Sequence, residues 1–446
     1  MIGQAARSRR IAVLLIVAGL LALAAAPAAL GADRVYWGNS NDTISYANLD
    51  GSGGGLLNLS GATPSGPRGV AIDSATGRIY WANQGNNTIS YANLDGSGGG
   101  GQLNLSGATP SEPHGLAIDP AAGRIYFAND ADTISYANLD GSGGGQLDIS
   151  EAPADGPYGA AIDPAAGRIY WANRGTNTGV FSIGFANLDG SGGGGELNLS
   201  GETVNKPHGV TIDSAGGKIY WTNVDSTIFY AKLDGSGGGG QLNLSGATDA
   251  GGVGMAIDPT AGRIYWANLG NGTISYANLD GSGGGAQLNI SGSNANQSRF
   301  LALLRAPSAA GDPQISGGSD PRSVLSCSQG SWAPDLLGSY LYRAPQTLGF
   351  QWSRAGADIA GATGSAYTPG GAGGTYSCRA TATNQAGSTS QTSAGHSVAK
   401  DPKCTRLGKK LKRQKNGLAS TRAEAKRGMI QASTKDTKKR LKKLGC

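Results

Sequence analysis

Gly77-Arg78-Ile79-Tyr80-Trp81-Ala82-Asn83, a short polar gap, and Thr88-Ile89-Ser90-Tyr91-Ala92-Asn93-Leu94-Asp95-Gly96 form a unit that this chain repeats. The aromatic pair at its centre recurs as Tyr36-Trp37, Tyr80-Trp81, Tyr126-Phe127, Tyr170-Trp171, Tyr220-Trp221 and Tyr265-Trp266. Successive pairs lie 44, 46, 44, 50 and 45 residues apart. A period of this length marks an array of one supersecondary unit, whose apolar face is buried only when neighbours stack on it. Four short apolar runs fill the second copy: Val70-Ala71-Ile72, Arg78-Ile79-Tyr80-Trp81, Thr88-Ile89-Ser90-Tyr91-Ala92 and Gln102-Leu103-Asn104-Leu105. Ile89 and Tyr91 alternate with polar residues, as do Leu103 and Leu105, which is the period of half-buried strands. Asp95-Gly96 follows the third run, and Asp-Gly favours a tight turn because it tolerates positive φ. No helical pattern fits inside the period. The expectation is an all-β body, a ring of four-stranded sheets forming a β-propeller.

The recurring Pro-x-Gly-(Val/Leu)-Ala-Ile-Asp, Gly-(Arg/Lys)-Ile-Tyr-Trp-(Ala/Thr)-Asn and Ala-x-Leu-Asp-Gly-Ser resemble the YWTD repeat, the class B repeat of the low-density lipoprotein receptor. The resemblance covers roughly residues 34–306 and implies a propeller of six blades, one per aromatic pair. Two departures stand out: Asn39, Asn83, Asn129, Asn173, Asn223 and Asn268 replace the motif's last Asp, and Phe127 replaces one Trp. The receptor's neighbouring modules are not evident.

Residues 1–32 read as a secretory signal, with Arg7, Arg9 and Arg10 ahead of an apolar core and a small-residue end. Removal on export is the expectation, and retention as an anchor is the alternative; Arg9-Arg10 also admits a twin-arginine route. The propeller is expected over residues 33–306. Its first copy begins at Val35-Tyr36-Trp37 without the Pro-x-Gly-x-Ala-Ile-Asp strand, and an open blade would expose unpaired backbone. Aligning Ser291-Gly292 on Ser60-Gly61 sets Arg299-Phe300-Leu301-Ala302-Leu303 against Arg68-Gly69-Val70-Ala71-Ile72. Residues 299–304 should therefore close blade 1 as its innermost strand, the alternative being a linker helix there. The glycine runs match a loose dinucleotide fingerprint, but each joins two strands and none opens a helix, so they read as hairpin tips.

Residues 307–400 form a second domain. Cys327, Trp352 and Tyr376-Ser377-Cys378, in that order, resemble an immunoglobulin-like sandwich, with Tyr376 at the tyrosine corner and Phe350-Gln351-Trp352 as the strand bearing the core Trp. The long spacing from Cys327 to Trp352 implies an inserted loop around Pro334 to Pro345. In an exported protein the resemblance makes a Cys327–Cys378 disulfide the natural pairing. The last segment, 401–446, holds 16 Lys and Arg against Asp401, Glu424 and Asp436, a net charge of +13. The whole chain carries +6, so everything before this tail sums to −7. Leu407, Leu411 and Leu418, then Ile430, Leu441 and Leu444, suggest a weakly amphipathic helix in each arm. A Cys404–Cys446 disulfide would require the arms to fold back near Arg427-Gly428.

Four Cys without zinc-like spacing and three scattered His argue against a metal framework, and no cofactor is expected. No Ser/His/Asp or Cys/His arrangement is visible. One constellation emerges only through the repeat, at the residue between Pro and Gly that opens each innermost strand. Around the ring it is Arg299, Arg68, His114, Tyr158, His208 and Val253, a set placed at one mouth of the channel. Two adjacent Arg with two His suit an anionic or hydroxyl-rich ligand, and hydrated packing is the alternative. Asp73, Asp119, Asp163, Asp213 and Asp258 recur at the strand's other end, where turn and inter-blade hydrogen bonds are expected. The leading function is a secreted or cell-surface binding or adhesion protein, taking a protein or glycan ligand on the propeller and no enzyme activity. Lyase- or lactonase-type propeller enzymes, or a structural envelope protein, are the alternatives. For the basic tail, an anionic envelope polymer or the membrane surface is the expected partner; export takes the chain away from nucleic acid.

Overall fold

The computed structural model describes residues 32–247, 251–421 and 423–446. The expected targeting segment lies outside them apart from Ala32. Blade 2 shows how a repeat folds: Pro67–Asp73, Arg78–Asn83, Thr88–Asn93 and Gly101–Gln102 pair antiparallel in chain order, from the channel outward. The fourth strand is shorter than the sequence suggests. Leu103 and Leu105 lie beyond it, and Leu103 is held by its N–H donating to the Ile89 carbonyl at 2.8 Å. The third strand is also less alternating than expected. Ser90 is as buried as Ile89, because the next blade covers the strand's second face.

The buried polar residues of that face form a repeated network. Trp81 Nε1 donates to Asn83 Oδ1 at 3.0 Å, and Asn83 Nδ2 donates to Thr88 Oγ1 and Ser90 Oγ at 2.9 and 2.8 Å. The same bonds join Trp37, Asn39, Thr43 and Ser45. A neutral amide accepts from the indole and donates to the hydroxyls, whereas a fully buried carboxylate would carry an uncompensated charge. That accounts for Asn in place of Asp at this position.

Neighbouring sheets are latched at their outer edges. Asn58 Nδ2 donates to the Gly96 carbonyl at 3.0 Å, and the Gly100 N–H donates to the Ser60 carbonyl at 3.0 Å. The glycine between them, Gly61, has φ +93°, and a Cβ there would meet the Gly100 oxygen at 2.6 Å. The latch also joins the last repeat to the first, through Asn289 Nδ2 to the Gly51 carbonyl at 2.9 Å. At the axis the innermost strands approach even more closely. A Cβ on Gly69, Gly115, Gly159, Gly209 or Gly254 would lie 2.3–2.5 Å from the next strand's carbonyl oxygen.

Closure follows the sequence alignment with one correction. Strand Leu301–Leu304 pairs antiparallel with Arg34–Asn39, with Leu303 opposite Val35, so the two ends of the ring share one sheet. Arg299 and Phe300 precede the strand instead of belonging to it. Residues 299–304 are not helical.

The second domain places sheet Ala357–Asp358, Thr347–Arg354, Gly374–Asn384 and Gly387–Thr392 against sheet Ile315–Gly317, Leu325–Cys327 and Ala366–Tyr367. The Cys327–Cys378 disulfide joins the two sheets beside the buried Trp352. Its inserted loop leaves the sandwich and enters the ring. Leu341–Tyr342 pairs parallel with Leu303 and Leu304, and the turn Leu337–Ser339 packs among the innermost strands. Thr211 Oγ1 donates to the Gly338 carbonyl at 2.8 Å, Ser339 Oγ to the Ile212 carbonyl at 2.7 Å, and the Tyr340 hydroxyl to the Ala160 carbonyl. Asp335 accepts from Ser74 Oγ and from the Arg343 and Ala344 N–H groups. Residues 335–342 thus fill the Asp end of the channel.

The tail is a helical hairpin, α1 Pro402–Ser420 and α2 Glu424–Lys443, bridged by Cys404–Cys446. The chain reverses around Thr421 and Ala423. Arg427 and Gly428, where the reversal was expected, lie within α2, since an isolated Gly on an exposed helix face costs too little to end it. Among the described residues, no helix is long and apolar enough to cross a membrane.

Candidate ligand-binding site

The innermost strands begin with an irregularity that aims their side chains at the mouth. In blades 2, 3, 4 and 6 the register shifts between Pro67 and Val70, Pro113 and Leu116, Pro157 and Ala160, and Gly252 and Met255. Arg68, His114, Tyr158 and Val253 sit in these bulges, a device that re-aims a side chain away from the pleat. In blade 5 the strand proper starts at Val210, and His208 is held by its N–H donating to the Thr222 carbonyl at 2.9 Å.

All five expected residues come together. The His114 and Tyr158 rings lie 4.2 Å apart, and Tyr158 lies 5.2 Å from the His208 ring. Arg299 reaches across the channel from blade 1, and its Nη1 donates to the Tyr158 hydroxyl. Tyr158, His114 and His208 are nearly excluded from solvent, while Arg68 and Arg299 are half-buried. The mouth is therefore a packed floor of rings under a cationic rim, with no open tunnel through it.

Three contributors are not among the site residues expected from the sequence. Phe300 stands where the other strands carry an axial glycine, and its ring lies 5.6 Å from Tyr158. Arg174 lays its guanidinium over the Tyr158 ring at 4.4 Å. Gln84 accepts from Arg68 Nε at 2.6 Å and donates to Glu112 at 2.8 Å. Gln84 and Arg174 follow the motif's Asn, a column that reads Ser40, Gln84, Asp130, Arg174, Val224 and Leu269 around the ring. Its variability within otherwise near-identical repeats was a signal that could have found them.

The electrostatics follow from burial. Desolvation pulls His114 down to about 3, assisted by Arg68, Arg174 and His208, and pulls His208 down to about 4, assisted by Arg174. Both rings are neutral at neutral pH. Asp130 Oδ1 is 3.9 Å from His114 Nε2, and burial raises its pKa. Five buried nitrogens here have no hydrogen-bond partner: Arg68 Nη1, His114 Nδ1, Arg174 Nε, His208 Nδ1 and Arg299 Nε. Buried polar atoms are normally paired, so these five are the polar atoms that the protein itself leaves to water or to a bound group.

The recurring acids at the other end are turn formers. Asp73 accepts from the Thr76 N–H, Asp163 from Ala166 and Asp258 from Ala261. Asp258 also pairs with Arg305 at 2.5 Å. Among the described residues no three His, Cys, Asp or Glu side chains converge as a metal site.

No protein-family model matches the sequence, and no curated protein does. Several solved structures align with part of this chain. A chain of the nidogen/laminin complex is 16% identical over 61% of this chain and 98% of its own, with a TM-score of 0.48. A protein from Lactobacillus plantarum is 14% identical over 61% of this chain and 99% of its own, with a TM-score of 0.43. Regucalcin from Agrobacterium tumefaciens, a calcium-binding protein, is 17% identical over 61% and 83%, with a TM-score of 0.39. These likenesses concern the fold alone.

Proposed function

We propose that this is an exported binding protein whose ligand sits on the channel-mouth face of a six-bladed YWTD-type propeller, carried on an immunoglobulin-like domain. The observation that carries the reading is the convergence of the Arg68, Arg174 and Arg299 guanidinium groups on one mouth, each with a buried nitrogen that no protein group bonds. Such a site recognises an anionic or hydroxyl-rich group, with Arg68, Arg174 and Arg299 as donors above a floor of packed rings. A protein or glycan presenting that group is the expected ligand. Two disulfides suit an oxidising compartment, and the basic hairpin adds a second contact, to an anionic envelope polymer or a membrane surface.

Binding is favoured over catalysis because the mouth pairs no nucleophile with a base. His114 and Asp130 are beyond hydrogen-bond length, and the Tyr158 hydroxyl is already engaged by Arg299. The test is an array of acidic and neutral glycans probed with the full exported chain, because the loop from the second domain is part of the ring. The Arg68→Ala/Arg299→Ala variant should lose about 10-fold or more in affinity, since each charge-assisted bond is worth about 1.5–3 kcal/mol. Undiminished binding by that variant would place the ligand elsewhere.

A further inference from the structure

The C-terminal hairpin carries a charge that it does not use internally. Leu407, Leu411, Gln414 and Leu418 of α1 are half-buried, and so are Ile430, Ser433 and Leu441 of α2. Gln414 donates to Ser433 Oγ across the seam, and Thr437 is fully buried in it. The apolar stripes are thus consumed between the two helices. Met429 is the large hydrophobic residue left exposed among the described tail residues.

Every described lysine and arginine of the tail is exposed, and among the described residues none of them is ion-paired. Asp401 is occupied by Arg322 of the second domain at 2.9 Å. At the disulfide-bridged end, Lys403, Arg406, Arg440 and Lys443 line one groove around Leu407 and Leu444, with no acid among the lining residues. Arg440 and Lys443 sit in the last turn of α2, where the helix dipole favours cations. Lys403 and Arg406 sit at the start of α1, where the dipole opposes them. Four like charges facing one groove repel each other, and an anion between them would relieve that repulsion.

We propose that this groove and the basic faces beside it bind a phosphate-bearing polymer of the cell envelope, a chain of linked phosphate groups. The choice of a polymer over a bilayer follows from the seam: interfacial helices need a free apolar face, and this hairpin has buried its own. The partner's location rests on the reading of an exported protein, whereas its chemistry rests on the hairpin. Two Arg able to grip phosphate oxygens bidentately, flanked by two Lys, suit phosphate better than isolated carboxylates.

The test uses the full exported chain with its disulfides intact and long-chain inorganic polyphosphate as the probe, read by fluorescence anisotropy. Arg406→Gln/Arg440→Gln removes two groove charges, and Arg413→Gln/Arg427→Gln removes the same charge from elsewhere on the hairpin. Helicity and the Cys404–Cys446 bridge are confirmed in both. The groove variant should weaken binding by at least about 10-fold and flatten the salt dependence between about 50 and 200 mM, since each lost phosphate contact lowers the slope. The matched variant should lose several-fold less. Equal losses in the two variants would overturn the groove. Tighter binding per charge to vesicles of anionic lipid, or to duplex DNA, would overturn the polymer. The Arg68→Ala/Arg299→Ala variant should still bind polyphosphate in full, so failure at the channel mouth and failure here read separately.

Discussion

Lowering the pH from about 7.5 to about 5 should weaken the fold through His114 and His208, whose unfolded values lie near 6.5. In the folded protein burial and the nearby guanidinium groups hold them at about 3 and about 4. Over this window the unfolded chain takes up two protons that the folded protein refuses, so stability falls as the pH falls. At pH 5 each histidine costs about 2 kcal/mol, the free energy of protonating a group of pKa near 6.5 at that pH, and the pair costs about 4 kcal/mol. Other shifted carboxylates do not produce this slope. Asp50, Asp95 and Asp280, held down by Ser hydrogen bonds, lose their contribution only as the pH falls below the unfolded value, near about 4. Asp130 is raised by burial and acts in the opposite sense, gaining stability as the pH falls through its folded value. Calorimetry at the two pH values is the assay. For a cooperative unit of this size, with about 2.1 cal/mol/K of unfolding entropy per residue, 4 kcal/mol corresponds to roughly 5 °C of Tm. The His114→Gln/His208→Gln variant should lose most of that drop. A variant with the same drop as the parent would refute the burial argument.

Leu303→Ala should destabilise the protein by about 2–5 kcal/mol, because the side chain is fully buried in the strand that closes the ring. An unchanged urea midpoint would show that closure contributes nothing. Gly338→Val should cost about 1–3 kcal/mol, since its Cβ would lie 2.6 Å from the Ile162 oxygen and 3.1 Å from Ile212. Loosening the loop should also split one calorimetric transition into two as the second domain uncouples, and a single transition at the parent Tm would count against the loop as a lock.

What could be read from the sequence was whatever a strand's own residues decide. The period, the Asp-Gly turns and the missing strand of blade 1 are local signals, and they place the ring and its closing segment correctly. The same logic put Arg68, His114, Tyr158, His208 and Arg299 at one mouth, because equivalent positions in a ring must converge. Lengths and ends were less legible. The fourth strand stops at Gln102, since Leu103 turns away to pack between sheets, and Arg299 stays outside its strand while reaching for Tyr158. The reversal of the tail was misplaced because Gly428 looked like a breaker, yet Cys404–Cys446 and the seam set the geometry instead. Contacts between domains left no trace in any local pattern. The inserted loop could be inferred only as excess spacing, and nothing in residues 334–345 announces that Tyr340 will donate to Ala160.

That loop decides how the mouth can be used. The Tyr340 hydroxyl meets the carbonyl of Ala160, two residues along the same strand from Tyr158, whose ring is packed by His114, His208 and Phe300. The shaft is therefore filled from both ends, by the loop from the Asp side and by aromatic rings from the other. The shaft offers no path through the ring, so the ligand of the proposed function would be met on the face. Variation among the repeats agrees with this. The latches, the Trp–Asn network and the axial glycines recur nearly unchanged, whereas the residue before each axial glycine and the residue after each Asn differ from blade to blade. Those two columns meet at the same rim, where Arg68 bonds Gln84 and Arg174 covers Tyr158. A symmetric scaffold needs identical blades, and a specific site needs different ones. These two columns put differences at one rim while leaving the axial glycines and the Trp–Asn network nearly intact.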